Sequence, residues 1–241
     1  MIPYWMSRTQ LMLGDGPVKQ LMQKNVLVIG LGGVGGICAE MIVRAGIGKL
    51  TIVDNDTIDA SNINRQIPAL HSTLSKSKAQ VLAVRLLDIN PLLELTILEA
   101  FVEDDSMIQL IEKEKWDYVV DCIDTLSAKV DLIKGCMDRK IHIISSMGAG
   151  GKIDPAQIKI TDLSKTYECN LARYVRKRLQ AVGIKKGLKV VFSPEKPDQS
   201  RIFETENAFP KKSIIGTLSY MPAIFGCTVA SVVIRDLMAI D

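Results

Sequence analysis

A set of charged side chains follows the glycine-rich stretch GLGGVGG at 30–36, and its spacing suggests nucleotide chemistry. Asp54 closes an apolar run, Arg65 follows eleven residues later in SNINRQ, and Lys78 follows after thirteen more. Arginine binds phosphate oxygens through paired, charge-assisted hydrogen bonds, and lysine acts as a point charge. A helix N-terminus largely suffices for the pyrophosphate of a dinucleotide, whereas a triphosphate needs further positive charge. The pattern therefore favours ATP over a nicotinamide cofactor.

The glycine-rich stretch itself ends an apolar run, VLVI, and opens a segment of helical periodicity. Gly30, Gly32 and Gly35 stand in the G-x-G-x-x-G arrangement, with Gly33 between them. Glycine lets such a turn tighten and lets the backbone approach a phosphate, which the free N–H groups of the helix then attract. The alternative is that these glycines serve only close helix–sheet packing. We expect a nucleotide site, with Asp54 accepting hydrogen bonds from the ribose.

Polar donors surround Arg65, and a further carboxylate follows two elements later. Asn62, Asn64 and Gln66 lie in the same loop as the arginine, and Asp124 stands in DCIDT at the end of a predicted strand. Ligands bind at this edge of open α/β sheets, and a carboxylate there suits Mg²⁺ held together with phosphates. Each charged residue also has a simple alternative, as a solvated loop arginine, an exposed helix lysine or a helix-capping aspartate. In combination they predict a site for ATP and a metal.

Apolar β-branched runs alternate with segments of helical periodicity in the first two thirds of the chain. The predicted strands are 25–30, 49–54, 94–100, 118–124 and 141–147. The predicted helices between them are 35–46, 77–90, 104–115 and 126–140. This alternation predicts a parallel sheet with helices on both faces, and the continuous apolar strands agree with it. The predicted fold class is α/β, a Rossmann-like doubly wound sheet.

We assign residues 1–241 to a single domain, with a nucleotide-binding core at 25–150 and a C-terminal part at 151–241. The C-terminal part predicts an alternating strand, a basic helix around LARYVRKRL and another strand. Residues 194–212 are polar with three prolines and predict a mobile surface loop. The uncharged stretch 214–234 predicts an apolar helix, either in the core or at a dimer interface, although it is long enough to span a bilayer.

The composition is that of an ordinary globular protein. The 241 residues carry a formal net charge of +3, with 24% charged and 47% hydrophobic residues. The five cysteines are scattered without any C-x-x-C pair, so neither a zinc knuckle nor a disulfide framework is predicted. The N-terminal stretch has no basic region followed by a long apolar run. We expect a cytoplasmic protein with reduced thiols, and we favour a core helix over a membrane anchor.

In chain order, GxGGxG, D-x-D, SN-x-x-RQ, a lysine and D-C-x-D resemble the ubiquitin-activating-enzyme-like adenylating proteins of the ThiF/MoeB superfamily. The resemblance covers most of the chain and implies binding of ATP and Mg²⁺. It implies the following roles: Asp54 at the ribose, Asp56 and Gln66 at the nucleotide, Arg65 and Lys78 at the triphosphate, Asp124 at Mg²⁺, and Asn62 as the active-site asparagine. It also implies a homodimer in which Arg8 reaches the ATP of the other subunit.

Within that superfamily the chain is most similar to the branch that dehydrates threonylcarbamoyladenosine in bacterial tRNA. The similarity lies in RAGIGKLTIVDNDTIDASNINRQ, DCIDTLSAKVDLI and SSMGAGGKIDPAQIKITDLSKT. It implies that a threonine carboxylate attacks the α-phosphorus of ATP and that the neighbouring urea group then closes on the acyl-adenylate. The partner it implies is tRNA carrying threonylcarbamoyladenosine. The zinc-binding C-x-x-C pairs usual in the activators of sulfur-carrier proteins are absent from the sequence.

Positive charge is concentrated between residues 171 and 196, where the only acid is Glu195. The eight basic residues there are Arg173, Arg176, Lys177, Arg178, Lys185, Lys186, Lys189 and Lys196. Such a run alone is more often a solvated helix face, but with the resemblance it favours phosphate contacts to tRNA. Cys169 is interpreted as an incidental cysteine in a mobile loop rather than a reactive thiol. Two further candidates are a monovalent cation bound near the GAGG turn at 148–151 and sulfur-transfer proteins as partners.

Other functions remain open at this stage. An activator of a small ubiquitin-like or sulfur-carrier protein would use the same ATP residues and differ only in the carboxylate that it activates. A non-catalytic scaffold would have no need of Arg65, Lys78 and Asp124 together. A nicotinamide-dependent dehydrogenase is the weakest alternative, because it leaves SNINRQ and Lys78 unexplained.

Overall fold

The computed structural model describes residues 1–196, 202–204 and 213–238. Its strands are β1 (Asn25–Ile29), β2 (Lys49–Val53), β3 (Glu94–Leu98), β4 (Tyr118–Asp121), β5 (Ile143–Ser146), β6 (Lys159–Asp162), β7 (Lys189–Phe192), β8 (Ile202–Glu204) and β9 (Ser213–Ile215). Its α-helices are α1 (Ser7–Leu13), α2 (Asp15–Leu21), α3 (Gly35–Arg44), α4 (Lys78–Ile89), α5 (Asp104–Glu112), α6 (Leu126–Asp138), α7 (Asn170–Ala181) and α8 (Tyr220–Leu237).

Seven strands form one sheet in the order β3-β2-β1-β4-β5-β7-β6. All neighbours in it run parallel except β6, which pairs antiparallel with β7 at the edge. The chain moves outward from β1 to β3 and then crosses to β4 on the other side of β1. Such a reversal opens a crevice at the carboxyl ends of the two central strands, where ligands bind. The predicted Rossmann-like α/β class is confirmed.

The sheet is buried on both faces, as its continuous apolar strands predict. Val26 and Val28 of β1 face one hydrophobic cluster, which also contains the inner faces of α3, α4 and α8. Leu27 and Ile29 face the other cluster, which is built with α5, α6 and α7. Strands β6 and β7 come from the C-terminal part and extend the same sheet, with the basic helix α7 between them.

Helix α8 is the apolar helix predicted at 214–234, but it begins only at Tyr220. Pro222 lies in its first turn, where a proline without an N–H is tolerated. Gly226 packs so closely on α3 that an added Cβ would collide with the Ile37 side chain and the Val34 carbonyl oxygen. Of the helices in the described residues, α8 alone is long and apolar enough to cross a membrane, with a mean hydropathy of 1.3, and half of it is buried inside the protein.

The segment predicted as a surface loop, 194–212, is not irregular throughout. Residues 202–204 form β8, which pairs antiparallel with β9. The expectation of a loop is therefore wrong at residues 202–204, where an isoleucine and a phenylalanine favour an extended strand. Residues 197–201 and 205–212 lie outside the described residues, and the predicted mobility of the segment stays a prediction.

Candidate active site

The glycine-rich turn connects β1 to α3 at the sheet crevice. Gly30 has a φ of +86°, and a Cβ on it would lie 2.6 Å from the carbonyl oxygen of Cys122. A Cβ on Gly35 would collide with the Gly30 carbonyl oxygen, so these two glycines are required by close backbone packing. A Cβ on Gly32 would meet only the Gln66 side-chain amide, with the nitrogen at 3.7 Å. Gly32 is therefore the position of the turn that leaves space for a ligand.

Asp54 follows β2 and holds this turn in place. One of its carboxylate oxygens accepts a hydrogen bond from the Leu31 N–H at 2.6 Å, and the other accepts from the Asp56 N–H at 2.8 Å. Burial raises the pKa of Asp54, and the two N–H donors and the nearby Lys78 only partly oppose that effect. Each carboxylate oxygen has a second lone pair, so binding of a ribose hydroxyl stays compatible with these contacts.

Lys78 is the first residue of α4, whose N-cap Ser77 accepts a hydrogen bond from the Gln80 N–H at 3.3 Å. Its ammonium group lies 2.7 Å from the Asp56 carboxylate. The lysine side chain is 6% exposed, but the carboxylate side chain is 55% exposed. The cation is thus held at the crevice by a partner that faces solvent. The roles predicted for both residues at the nucleotide stay predictions.

Arg65 is half-buried in the SNINRQ loop, and local contacts fix its direction. One guanidinium nitrogen donates to the Ser61 carbonyl oxygen at 2.9 Å and to the Asn64 side-chain oxygen at 2.8 Å. Asn64 in turn donates to the Thr217 carbonyl oxygen at 3.0 Å. Burial lowers the pKa of Arg65, and the charge of Asp124 opposes this. The structure therefore brings Arg65 and Asp124 close enough to interact.

Two amides of the same loop are buried. The Asn62 side-chain oxygen accepts from the Asp59 N–H at 3.2 Å, which closes the turn of the loop. Gln66 is 7% exposed, and its side-chain oxygen has no hydrogen-bond partner. An unpaired buried acceptor is uncommon in proteins and marks a position where a ligand or water completes the site. Asn62, predicted as the active-site asparagine, thus has a structural contact that the sequence did not reveal.

Asp124 lies in the turn between β4 and α6, and an ion pair lies beneath that turn. Strand β4 ends at Asp121, earlier than predicted, because the Asp121 side chain accepts from the Ile123 N–H at 3.0 Å and turns the chain. The other Asp121 oxygen accepts from Lys129 at 2.7 Å and from Ser145 at 2.5 Å. Lys129 and Asp121 are both fully buried. This group of Lys129, Asp121 and Ser145 was not predicted. The first aspartate of DCIDT was the one feature of the sequence that pointed to it.

Arg8 stands apart from the other predicted site residues. It is exposed on α1, and no hydrogen bond or ion pair within the described ranges joins it to them. Large apolar side chains are exposed around it, with Tyr4 at 91%, Leu11 at 82% and Met12 at 83%. Its predicted role at the ATP of the other subunit stays a prediction.

Cys169 lies in the short loop before α7, as predicted, but it is buried rather than exposed. It is 6% exposed and packs in the cluster with α6 and α7, directly before α7 begins. In the GAGG turn, the Gly151 N–H donates to the Gly216 carbonyl oxygen at 2.8 Å. The monovalent cation considered for this turn stays a prediction. Among the described residues, no group of three His, Cys, Asp or Glu side chains could hold a metal ion.

The strand order and the glycine-rich turn after β1 define a Rossmann-like protein. The model of the ThiF family matches residues 7–240, and the chain belongs to that family. The predicted family resemblance is confirmed.

Similar proteins cover nearly the whole chain. The tRNA threonylcarbamoyladenosine dehydratase of Bacillus subtilis is 37% identical over 239 residues, which are 96% of this chain and 94% of that protein. The dehydratase of Escherichia coli is 34% identical over 248 residues, covering 96% and 92%. The crystal structure of the Escherichia coli enzyme, TcdA, in complex with ATP superposes with a TM-score of 0.87 and 34% identity, covering 97% of this chain and 93% of that one.

Proposed function

We propose that this chain is an ATP-dependent dehydratase that cyclises N6-threonylcarbamoyladenosine in tRNA. One observation carries this assignment: Asp54 binds the glycine-rich turn and interacts with Lys78, and Arg65 interacts with Asp124, in a chain that matches such dehydratases over nearly its full length. An intact adenylating site argues for catalysis rather than a scaffold. The length of the match favours a tRNA nucleoside over a carrier-protein terminus as the acceptor.

The crevice has the chemistry that ATP requires. Gly32 leaves space above the turn, and the N-terminus of α3 offers free N–H groups to a phosphate. The Gln66 side-chain amide lies beside that space, and its buried oxygen has no hydrogen-bond partner. Lys78 has an exposed carboxylate as its partner, so a phosphate oxygen competes with Asp56 for the same ammonium group. These residues fit a triphosphate.

Asp124 is the residue that we propose as the Mg²⁺ ligand. Mg²⁺ usually takes one or two carboxylates together with substrate phosphates and water, so a single protein carboxylate suits it. When bound, the ion would neutralise phosphate charge and orient the leaving pyrophosphate. Arg65 lies within electrostatic reach of Asp124, so both charges act on the same part of the ligand.

The reaction needs positioning and neutralisation more than a protein nucleophile. The threonine carboxylate oxygen bonds to the α-phosphorus of ATP, and pyrophosphate leaves. An atom of the neighbouring urea group then bonds to the acyl carbon, the urea group releases a proton, and AMP leaves with the carboxyl oxygen. The sum is loss of one water from the nucleoside. Arg65 and Lys78 stabilise the charge that develops on the phosphates, as preorganised cations do in other phosphoryl sites.

A homodimer in the cytoplasm completes this proposal. The exposed apolar side chains of α1, including Leu11 and Met12, form a surface that a second copy would cover. Arg8 on the same helix would then reach the ATP of the partner subunit, where another cation suits the triphosphate. We also propose that the chain functions as one adenylating domain, because strands of both its parts share one sheet.

The test is mass spectrometry of nucleosides from threonylcarbamoylated tRNA incubated with the protein, ATP and Mg²⁺. We expect loss of one water from the modified adenosine, dependent on ATP. Lys78→Ala and Asp124→Ala should slow it by about 100-fold or more, whereas Lys76→Ala should not, because that lysine, two residues before Lys78, is exposed. A mild work-up is needed, since a cyclic product hydrolyses readily.

A different result would redirect the assignment. If the nucleoside mass does not change, and ATP–pyrophosphate exchange begins only when a small carrier protein is added, the enzyme activates a protein carboxylate instead. Wild-type protein that neither dehydrates tRNA nor exchanges pyrophosphate would contradict both functions.

A further inference from the structure

Helix α7 presents one apolar face to the core and a basic face to solvent. Ala172, Val175 and Leu179 are buried in the cluster with α6. The helix contains no acidic residue, and its basic side chains are not all equivalent. Arg176 is structural, because its guanidinium donates to the Thr166 carbonyl oxygen at 2.9 Å and to the Thr166 hydroxyl at 2.5 Å.

Sorting the basic run by its contacts leaves a smaller group that faces solvent. Lys189 pairs with Asp236 at 2.8 Å, and Lys196 pairs with Glu168 at 3.4 Å. In the described part of the chain, the remaining exposed cations form no ion pair with a carboxylate. They are Arg173, Lys177, Arg178, Lys185 and Lys186.

Repulsion within this group points to an anionic ligand. Arg173 and Lys177 stand four residues apart, so they are neighbours on one helix face, and Arg178 stands four residues after Tyr174. Like charges at this spacing destabilise a helix. An arrangement that brings cations together with no acid among them is relieved when phosphates bind there.

Two exposed tyrosines, one on α7 and one just before it, each lie beside a cation. Tyr174 is 49% exposed, with the Arg173 guanidinium carbon 5.0 Å from its ring centre. Tyr167, just before α7, is 51% exposed, and the Lys159 ammonium group lies 5.4 Å from its ring centre. Exposed aromatic rings beside cations are the platforms on which proteins stack unpaired nucleobases.

The surface begins at the edge of the sheet that carries the crevice. Gly148 follows the carboxyl end of β5, and a Cβ on it would lie 3.8 Å from the Leu171 Cβ at the start of α7. From there the 12 residues of α7 extend about 18 Å along the protein. The tyrosines therefore lie at the end of the surface that starts near the ATP site, and Lys185 and Lys186 lie beyond its far end.

We propose that this surface receives the tRNA substrate. Tyr167 and Tyr174 stack on unpaired bases next to the reacting nucleoside, and Arg173, Lys177, Arg178, Lys185 and Lys186 bind the phosphates of the adjoining stem. The inference rests on the proposed function and adds the residues that hold the RNA. A membrane surface does not fit, because the apolar face of α7 is already buried in the core.

The test is fluorescence anisotropy of a labelled anticodon stem-loop carrying the modified nucleoside, titrated with protein at several salt concentrations. The double variant K177A/R178A should bind about tenfold or more weakly, and its slope of log affinity against log salt should flatten by about 1.4 to 1.8, since each phosphate contact contributes about 0.7 to 0.9. Lys113→Ala with Lys115→Ala is the matched control, because these lysines are exposed at the end of α5 on the same sheet face.

Base stacking has a separate signature. Tyr174→Ala should weaken binding about tenfold with an unchanged salt slope, because stacking releases no counterions. Tyr174→Phe keeps the ring and should bind like the wild type. Equal affinity and equal slope for wild type and K177A/R178A would overturn the proposal. So would displacement of the RNA by an acidic peptide whose own binding needs Lys177 and Arg178 but not Tyr174, since the surface would then serve a protein.

Failure of this inference is distinguishable from failure of the proposed function. If the wild type and K177A/R178A dehydrate modified tRNA with the same kcat/KM, the RNA surface is wrong and the function stands. If the stem-loop binds through α7 and no nucleoside loses water, the surface stands and the chemistry is wrong.

Discussion

Two lysine–aspartate ion pairs in this protein have the same N–O distance but differ in how far they are exposed to solvent. Lys78 lies 2.7 Å from Asp56, and Lys129 lies 2.7 Å from Asp121. Both side chains of the second pair are fully buried, whereas the Asp56 side chain is 55% exposed. Distance alone therefore does not say which pair is structural.

The difference lies in how completely each carboxylate is satisfied. Asp121 accepts three hydrogen bonds within the protein, from Lys129, Ser145 and the Ile123 N–H. The Asp56 side chain is more than half exposed, so a phosphate can replace it beside Lys78. A buried pair cannot lose one member without leaving a buried charge, but an exposed carboxylate is readily solvated. The closed pair holds the turn that bears Asp124, and the open pair holds a cation ready for a ligand.

The largest expected effect is on stability at the closed pair. Lys129→Met should lower the free energy of unfolding by about 3–5 kcal/mol, because Asp121 is left as a buried charge. The double variant D121N/K129M should recover much of the loss, since no charge remains. Urea denaturation followed by circular dichroism measures both. An unchanged midpoint for Lys129→Met would contradict the assignment of this pair as structural.

At the open pair the main loss should be in activity. Lys78→Ala should reduce kcat/KM for AMP formation by about 100- to 1,000-fold, the usual effect of removing one preorganised donor to a developing charge. Its free energy of unfolding should change by no more than about 1 kcal/mol, because the partner is exposed. Paired kinetics and denaturation test this. A loss of stability as large as that of Lys129→Met would make the two pairs equivalent.

Asp56→Asn separates two interpretations of the D-x-D motif. If Asp56 only holds Lys78 until a phosphate arrives, removing its charge should tighten ATP binding by a few fold. If Asp56 itself binds the nucleotide, as the family resemblance implies, ATP affinity should fall. Isothermal titration calorimetry with ATP distinguishes these outcomes, and stability should change by less than about 1 kcal/mol.

The smallest effect is a pH dependence at Asp54. Burial raises the pKa of this carboxyl above its ordinary value of 3.8. The folded protein therefore binds a proton that the unfolded chain does not, and this contribution to stability is lost as the pH rises through the raised pKa. A protonated carboxyl accepts hydrogen bonds less well, so ATP affinity should fall as the pH drops through the same window.

Measurement of the ATP dissociation constant between pH 4 and pH 7 checks this expectation. The fall in affinity should begin above pH 3.8 and should be weaker in Asp54→Asn, which has no carboxyl to titrate. An identical pH profile in the variant would assign the fall to the nucleotide itself.

Much of the fold and part of the site were predictable because their signals are local. Periodicity over five to twelve residues separates strands from helices, and the glycine-rich turn identifies the crevice without reference to distant residues. A shared location for Asp54, Arg65, Lys78 and Asp124 was also predictable. These residues follow the carboxyl ends of parallel strands, and those ends lie at one edge of the sheet. These features belong to the sequence by itself.

Other features depend on contacts that no local pattern contains. Nothing near Lys129 distinguishes it from an exposed helix lysine, because its burial depends on Asp121 of β4 and Ser145 of β5. The pairing of β8 with β9 and the burial of Cys169 likewise depend on residues that are distant in the sequence. A charge or a thiol is buried only where distant elements supply partners and exclude water. The sequence determined which elements form, and the tertiary structure decided which of their polar side chains are locked in place and which are left for a ligand.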